Sequence, residues 1–155
     1  MKKIVFLFVC SLVMMSCSVE ADGPNLGYDL AVVKELDLPE YFEMGKIYDI
    51  DVTFTLPSAC HNALTPSSLD VRRGGNTGDL RRQIYVAAVT SYDADQSECN
   101  VEEEDLDKTQ TFRLLVDEEE DFTFHLWTGV DEDGKSVYTE VTVPVGAPED
   151  NTSNQ

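Results

Sequence analysis

Basic residues are scarce in this chain: 11 lysines and arginines stand against 30 aspartates and glutamates, a formal charge of −19. A surface so acidic repels nucleic-acid phosphates and anionic lipid headgroups, which argues against both as partners of the folded body. Histidine is scarcer still. His61 and His125 are far apart in sequence, and neither belongs to a nucleophile or metal motif. No Gly-x-Ser-x-Gly or His-Glu-x-x-His pattern occurs, and the glycine loop at 74–79 lacks the Gly-Lys-Ser/Thr ending that grips phosphate. No stretch carries a sustained helical period with caps, and no apolar run reaches the roughly 20 residues that cross a bilayer. These absences leave a largely β chain for which no catalytic residue, metal or cofactor is expected.

What is present starts at the N-terminus. Lys2 and Lys3 precede an apolar run at 4–15, followed by Ser16 and Cys17. This is the layout of an export signal, too short to serve as an anchor. Met14-Met15-Ser16-Cys17 resembles a bacterial lipobox, which implies cleavage before Cys17 and lipidation of that cysteine. An ordinary signal peptide cut nearby is the alternative. The expected organisation is a signal peptide at 1–16, an acidic tether at 17–27, a folded domain at 28–145 and a disordered tail at 146–155. Both flanks are too poor in large apolar residues to offset the entropy of ordering.

Cys10 leaves with the signal and Cys17 is assigned to lipid, so Cys60 and Cys99 remain. In an exported protein, two remaining cysteines are most simply a disulfide. A metal site using the neighbouring His61 is the competing reading, but it lacks any Cys-x-x-Cys or His-x-His spacing.

Between the flanks, period-two alternation dominates. Ile50, Val52, Phe54 and Leu56 alternate with Asp51, Thr53 and Thr55, the pattern of a half-buried strand. Phe122, Phe124 and Leu126 alternate with Thr123, His125 and Trp127. Asp133-Gly134 then marks a hairpin turn into a returning strand at 137–143. Weaker strand signals cover 30–36, 69–73, 81–92 and 109–116. About seven short antiparallel strands with turns between them predict an all-β, immunoglobulin-like sandwich. Trp127 follows both cysteines, so the core is not of the antibody type.

Several features together resemble the small envelope lipoproteins of Bacteroidota. They are the lipobox, the acidic tether, Gly45-Lys46-Ile47-Tyr48 opening a strand that ends Leu56-Pro57, the cysteines at 60 and 99, and Phe122-Thr123-Phe124 leading to Trp127 and Asp133-Gly134-Lys135. The resemblance implies an outer-membrane lipoprotein held by its N-terminal lipid, and it brings no activity with it.

Three features have a functional reading. If Phe122, Phe124 and Leu126 face the core, then His125 and Trp127 face outward, with Tyr138 joining them across the hairpin. Exposed aromatics on a rigid sheet stack on sugar rings or anchor a protein, although cross-strand aromatic pairs also simply stabilise sheets. Arg72 and Arg73, with Arg81 and Arg82, flank the glycine loop and form a positive spot: either the rim of a binding site or a set of local ion pairs. The acidic clusters at 102–105, 117–121 and 131–133 offer oxygen ligands for calcium or paired carboxylates for hydrolysis; solvated turns are the plainer reading. The function expected is a non-catalytic binding or assembly module whose partner is an envelope protein or glycan. The alternatives are a small carboxylate-dependent hydrolase and a calcium-binding surface protein.

Overall fold

The computed structural model describes residues 23, 25–96, 99 and 105–147. The expected signal peptide, Cys17, nearly all of the tether and most of the tail lie outside these residues. Eight strands occupy most of the described chain: β1 (Leu26–Leu36), β2 (Ile47–Thr55), β3 (Asn62–Ala63), β4 (Leu69–Arg73), β5 (Gln83–Asp93), β6 (Asp107–Leu115), β7 (Phe122–Val130) and β8 (Ser136–Val143). A short 3-10 turn at Gly78–Arg82 leads into β5. Among the described residues no helix is long and apolar enough to cross a membrane.

The strands follow the order β6-β2-β1-β5-β7-β8, with β3 and β4 paired to the other side of β5. The first strand joins the two halves. Its residues from Leu26 to Ala31 pair with β5, and those from Val32 to Leu36 pair with β2 after an irregularity between Val33 and Glu35. One half therefore carries β6 and β2, the other β4, β5, β7 and β8. Their apolar faces meet: Ile50, Val52 and Phe54 of β2 share a cluster with Ile84 and Val86 of β5 and Phe122 and Phe124 of β7. This is the all-β sandwich that the alternation predicts.

Two details differ from the expectation. The strands number eight, because β3 is only two residues long and carries no readable periodicity. One pair, β5 with β7, is parallel. The reason is topological: after β5 the chain crosses to the other half to form β6 beside β2, and it returns for β7 in the same direction as β5. The sheet also begins inside the expected tether, since β1 starts at Leu26.

The sandwich is closed at one end by residues outside its strands. Phe42 is fully buried and pairs with Val145 in an isolated parallel bridge. Its N–H donates to the Pro144 carbonyl at 2.8 Å, and its own carbonyl accepts from the Gly146 N–H at 2.8 Å. The Phe42 ring meets Tyr48 and Phe122 edge-on. Cys60 and Cys99 form the expected disulfide, with Cα atoms 5.7 Å apart.

Candidate functional site

Alternation along β7 turns Phe122, Phe124 and Leu126 into the core and leaves Thr123 and His125 on the opposite face. The register then decides their company. His125 sits between Tyr85 on β5 and Glu140 on β8, and Thr123 sits between Gln83 and Thr142. Each partner also points away from the core, because residues two apart on a strand share a face.

These side chains form one connected face. His125 Nε2 lies 2.6 Å from Gln83 Oε1, and its Nδ1 lies 3.2 Å from Glu140 Oε1. The Tyr85 ring is stacked on the imidazole, with centroids 4.5 Å apart and 12° between planes. Tyr138 stands edge-on to Tyr85 at 5.6 Å and remains 40% exposed. His125 is thus held at both ring nitrogens and on one ring face, while Tyr138 offers an accessible aromatic surface beside it. Thr123 and Thr142 continue the face with hydroxyls 3.2 Å apart.

Trp127 requires a correction. Expected to project into solvent beside His125, it is 8% exposed. Its indole N–H donates to Ser136 Oγ at 3.3 Å, and a register irregularity between Trp127 and Gly129 interrupts the ladder at this point. Gly129 has φ of +138°, a conformation that favours glycine. The indole lies outside the main core cluster; its burial underpins the exposed face and offers no open surface to a ligand.

The two rim arginines separate, as neighbours on a strand must. Arg72 is opposite Tyr85 in register and its side chain is 71% exposed, with an ion pair to Asp70 at 2.9 Å. Arg73 turns the other way. It donates to Asp117 at 2.7 Å and to the Arg81 carbonyl at 2.9 Å, and its guanidinium lies over the Phe122 ring. Arg81 pairs with both Asp117 and Glu118, and Arg82 pairs with Asp79 and Glu120. Burial alone would push the Asp117 carboxyl up; the hydrogen bond and charge of Arg73, with the charge of Arg81, outweigh it and hold the group below the usual carboxylate range. Three of the four arginines are therefore engaged with the 117–120 acidic run. Only Arg72 remains at the edge of the aromatic face.

A second cluster, unforeseen as a unit, lies at the disulfide. His61 Nδ1 is 2.9 Å from Ser58 Oγ, its Nε2 is 3.9 Å from Asp29 Oδ2, and its ring packs against Tyr92. Ser58, His61, Tyr92 and the two cysteines line an open cavity of about 140 Å³. The order Ser, His, Asp has the outline of a nucleophile and base, but the nearby backbone donors are engaged. The Cys60 N–H bonds Ser58 Oγ and the His61 N–H bonds the Ser58 carbonyl. Without free donors aimed at a developing oxyanion, acyl transfer loses what is usually its largest stabilising term. The geometry is that of a serine-capped turn pinned beside a disulfide.

The acidic loops are also occupied locally. Asp131 Oδ1 accepts the N–H groups of Asp133 and Lys135, closing the hairpin turn. Among the described residues no group of three or more histidines, cysteines, aspartates and glutamates is arranged to hold a metal ion.

Tyr85, Gln83 and Glu140 were not singled out from the sequence. The alternation of Gln83 and Tyr85 with buried Ile84 and Val86 marks them as outward-facing, but the parallel register that brings them to His125 has no local signal. No protein-family model, curated protein or solved structure matches the chain.

Proposed function

We propose that this protein is an exported, lipid-tethered envelope module that binds a neutral glycan on the outer face of β5, β7 and β8. The single observation carrying the binding reading is His125, held between Gln83 and Glu140 beneath Tyr85, with Tyr138 open beside it. A side chain fixed on three sides loses little further freedom when a ligand arrives, which favours recognition. The face combines an aromatic surface suited to a sugar ring with hydroxyl, amide and carboxylate groups suited to sugar hydroxyls. The overall charge of −19 disfavours anionic glycans.

The address rests on Lys2, Lys3, the apolar run at 4–15 and Cys17, and a disulfide is in keeping with an oxidising compartment. The carboxylate-hydrolase alternative finds less support. Asp49, Asp107 and Asp117 are all shifted downward by cationic partners, opposite to the shift a general acid needs.

The test has two arms. Intact-mass analysis of the membrane fraction is expected to find a chain beginning at an acylated Cys17; a soluble form with unmodified Cys17 overturns the anchor. Titration of neutral envelope oligosaccharides against wild type, Tyr138→Ala and His125→Ala is expected to show binding that both substitutions weaken. Equal affinity in all three, with folding intact, overturns the site.

A further inference from the structure

An open sheet has two edges, and here they are treated differently. On β6 the 64–68 loop lies alongside, with the Ser68 N–H donating to Gln110 Oε1 at 2.6 Å, and Arg73 donates to the Leu115 carbonyl. On the far side of β8, no described strand pairs. Residues from Ser136 to Thr142 are exposed without exception, on both faces. The inward-pointing positions therefore overhang the sandwich: Val137 is 42% exposed and Val141 is 37% exposed. Proteins usually protect such an edge with lysine, proline or a bulge. Here the protection is confined to the ends, at Lys135 and Pro144. The one charge inside the strand, Glu140, is drawn back over the sheet to His125.

We infer that β8 is a docking edge for β8 of a second copy of this chain, in an antiparallel pair centred on Thr139. The sequence of the strand selects the occupant and the register. A twofold axis perpendicular to the sheet keeps each face on its own side, so residues on the same face must pair. Centring on Glu140 sets two carboxylates opposite each other, which is unfavourable. Centring on Thr139 avoids this and places Val137 against the second copy's Val141 and Tyr138 beside its Glu140. The two overhanging valines then cover each other, and the ladder gains partners for its open backbone groups. The net charge of −19 on each copy opposes approach, so association strengthens as salt screens that repulsion. The resulting continuous sheet carries both outer faces on one side.

Sedimentation of the full chain is expected to show a concentration-dependent dimer that tightens with added salt. Val141→Asp is expected to weaken it about tenfold or more, because it places a carboxylate in the valine contact. Thr139→Cys offers an independent readout. At the twofold the two Cβ atoms lie about 5 Å apart, so mild oxidation is expected to join two copies through position 139 much faster than through position 111 in Thr111→Cys, a control on β6. A wild-type chain that stays monomeric at every salt concentration overturns the inference. So does crosslinking at 139 no faster than at 111, or a dimer indifferent to Val141→Asp in a folded variant. Slow amide exchange along β8 in a monomer assigns the edge to the chain's own residues and overturns it equally.

Discussion

Tyr85 lies flat against His125 across the parallel pair of β5 and β7, with ring centroids 4.5 Å apart and planes 12° from parallel. Parallel strands offer evenly spaced partners, so a tyrosine directly beside a histidine can stack without either leaving its strand. Tyr85→Leu keeps the outward bulk and removes the aromatic face. Stability is expected to fall by about 1 kcal/mol, the usual worth of an aromatic pair beyond its buried area. Glycan affinity is expected to fall further in proportion, since His125 loses the group that fixes its ring. Chemical denaturation and ligand titration of the same variant separate the two; a full loss of stability with unchanged binding assigns Tyr85 a structural role alone.

Trp127 and Tyr138 are paired in register yet differ in exposure, 8% against 40%. Truncating them is therefore expected to have opposite consequences. Trp127→Ala leaves a cavity and strands the Ser136 contact, costing about 3 to 5 kcal/mol. Tyr138→Ala is expected to cost about 1 kcal/mol or less and to act mainly on binding. Urea unfolding of both variants checks this: equal destabilisation contradicts the assignment of Trp127 to the support and Tyr138 to the surface.

The strands were largely legible because each has one buried face, and alternation such as Ile50, Val52 and Phe54 against Asp51 and Thr53 writes that fact into the sequence. Hairpin chemistry was legible for the same local reason. Gly134 takes φ of +76° where Asp133-Gly134 predicts a turn. The parallel pairing of β5 with β7 was not, because it follows from where β6 goes, and that is decided by packing across the core. The candidate site inherits this limit. His125 and Tyr138 belong to one hairpin and were found together, whereas Tyr85 and Gln83 arrive through the long-range register. Trp127 failed for a related reason: alternation states which face a residue occupies but not whether that face is covered.

The Cys60 to Cys99 bond joins the turn before β3 to the segment that follows β5, a separation of 39 residues. Closing a loop of that length restricts the unfolded chain by about 4 kcal/mol on the chain-entropy account. Reduction is expected to lower stability by up to about that amount while leaving the aromatic face in place, since the bond lies at the His61 cluster. Thermal unfolding with and without reductant, paired with glycan titration of the reduced protein, measures both effects. Unchanged stability on reduction contradicts the staple.

Acid sensitivity follows from the arginine cluster. The Asp117 carboxyl is held below its ordinary range by Arg73 and Arg81 against an opposing effect of burial. Its folded value therefore lies below the unfolded value of about 3.9. A carboxyl shifted in that direction contributes stability that is fully present above the unfolded value and lost as pH falls through the folded one. Asp49, lowered by the hydrogen bond from Arg113, and Asp107, lowered by those from Lys34 and Thr55, add in the same sense. These two are exposed, so salt weakens their part more than that of Asp117. Stability is thus expected to hold from neutral pH down to roughly pH 5 and to decline below it. Asp117→Asn is expected to lower stability at neutral pH and to flatten the acid limb, because the group that gains a proton is gone while Arg73 and Arg81 remain half-buried with Glu118 as the nearest acid. Urea midpoints of wild type and variant from pH 7 to pH 3, at low and high salt, test the assignment. Parallel curves for the two proteins place the acid sensitivity elsewhere.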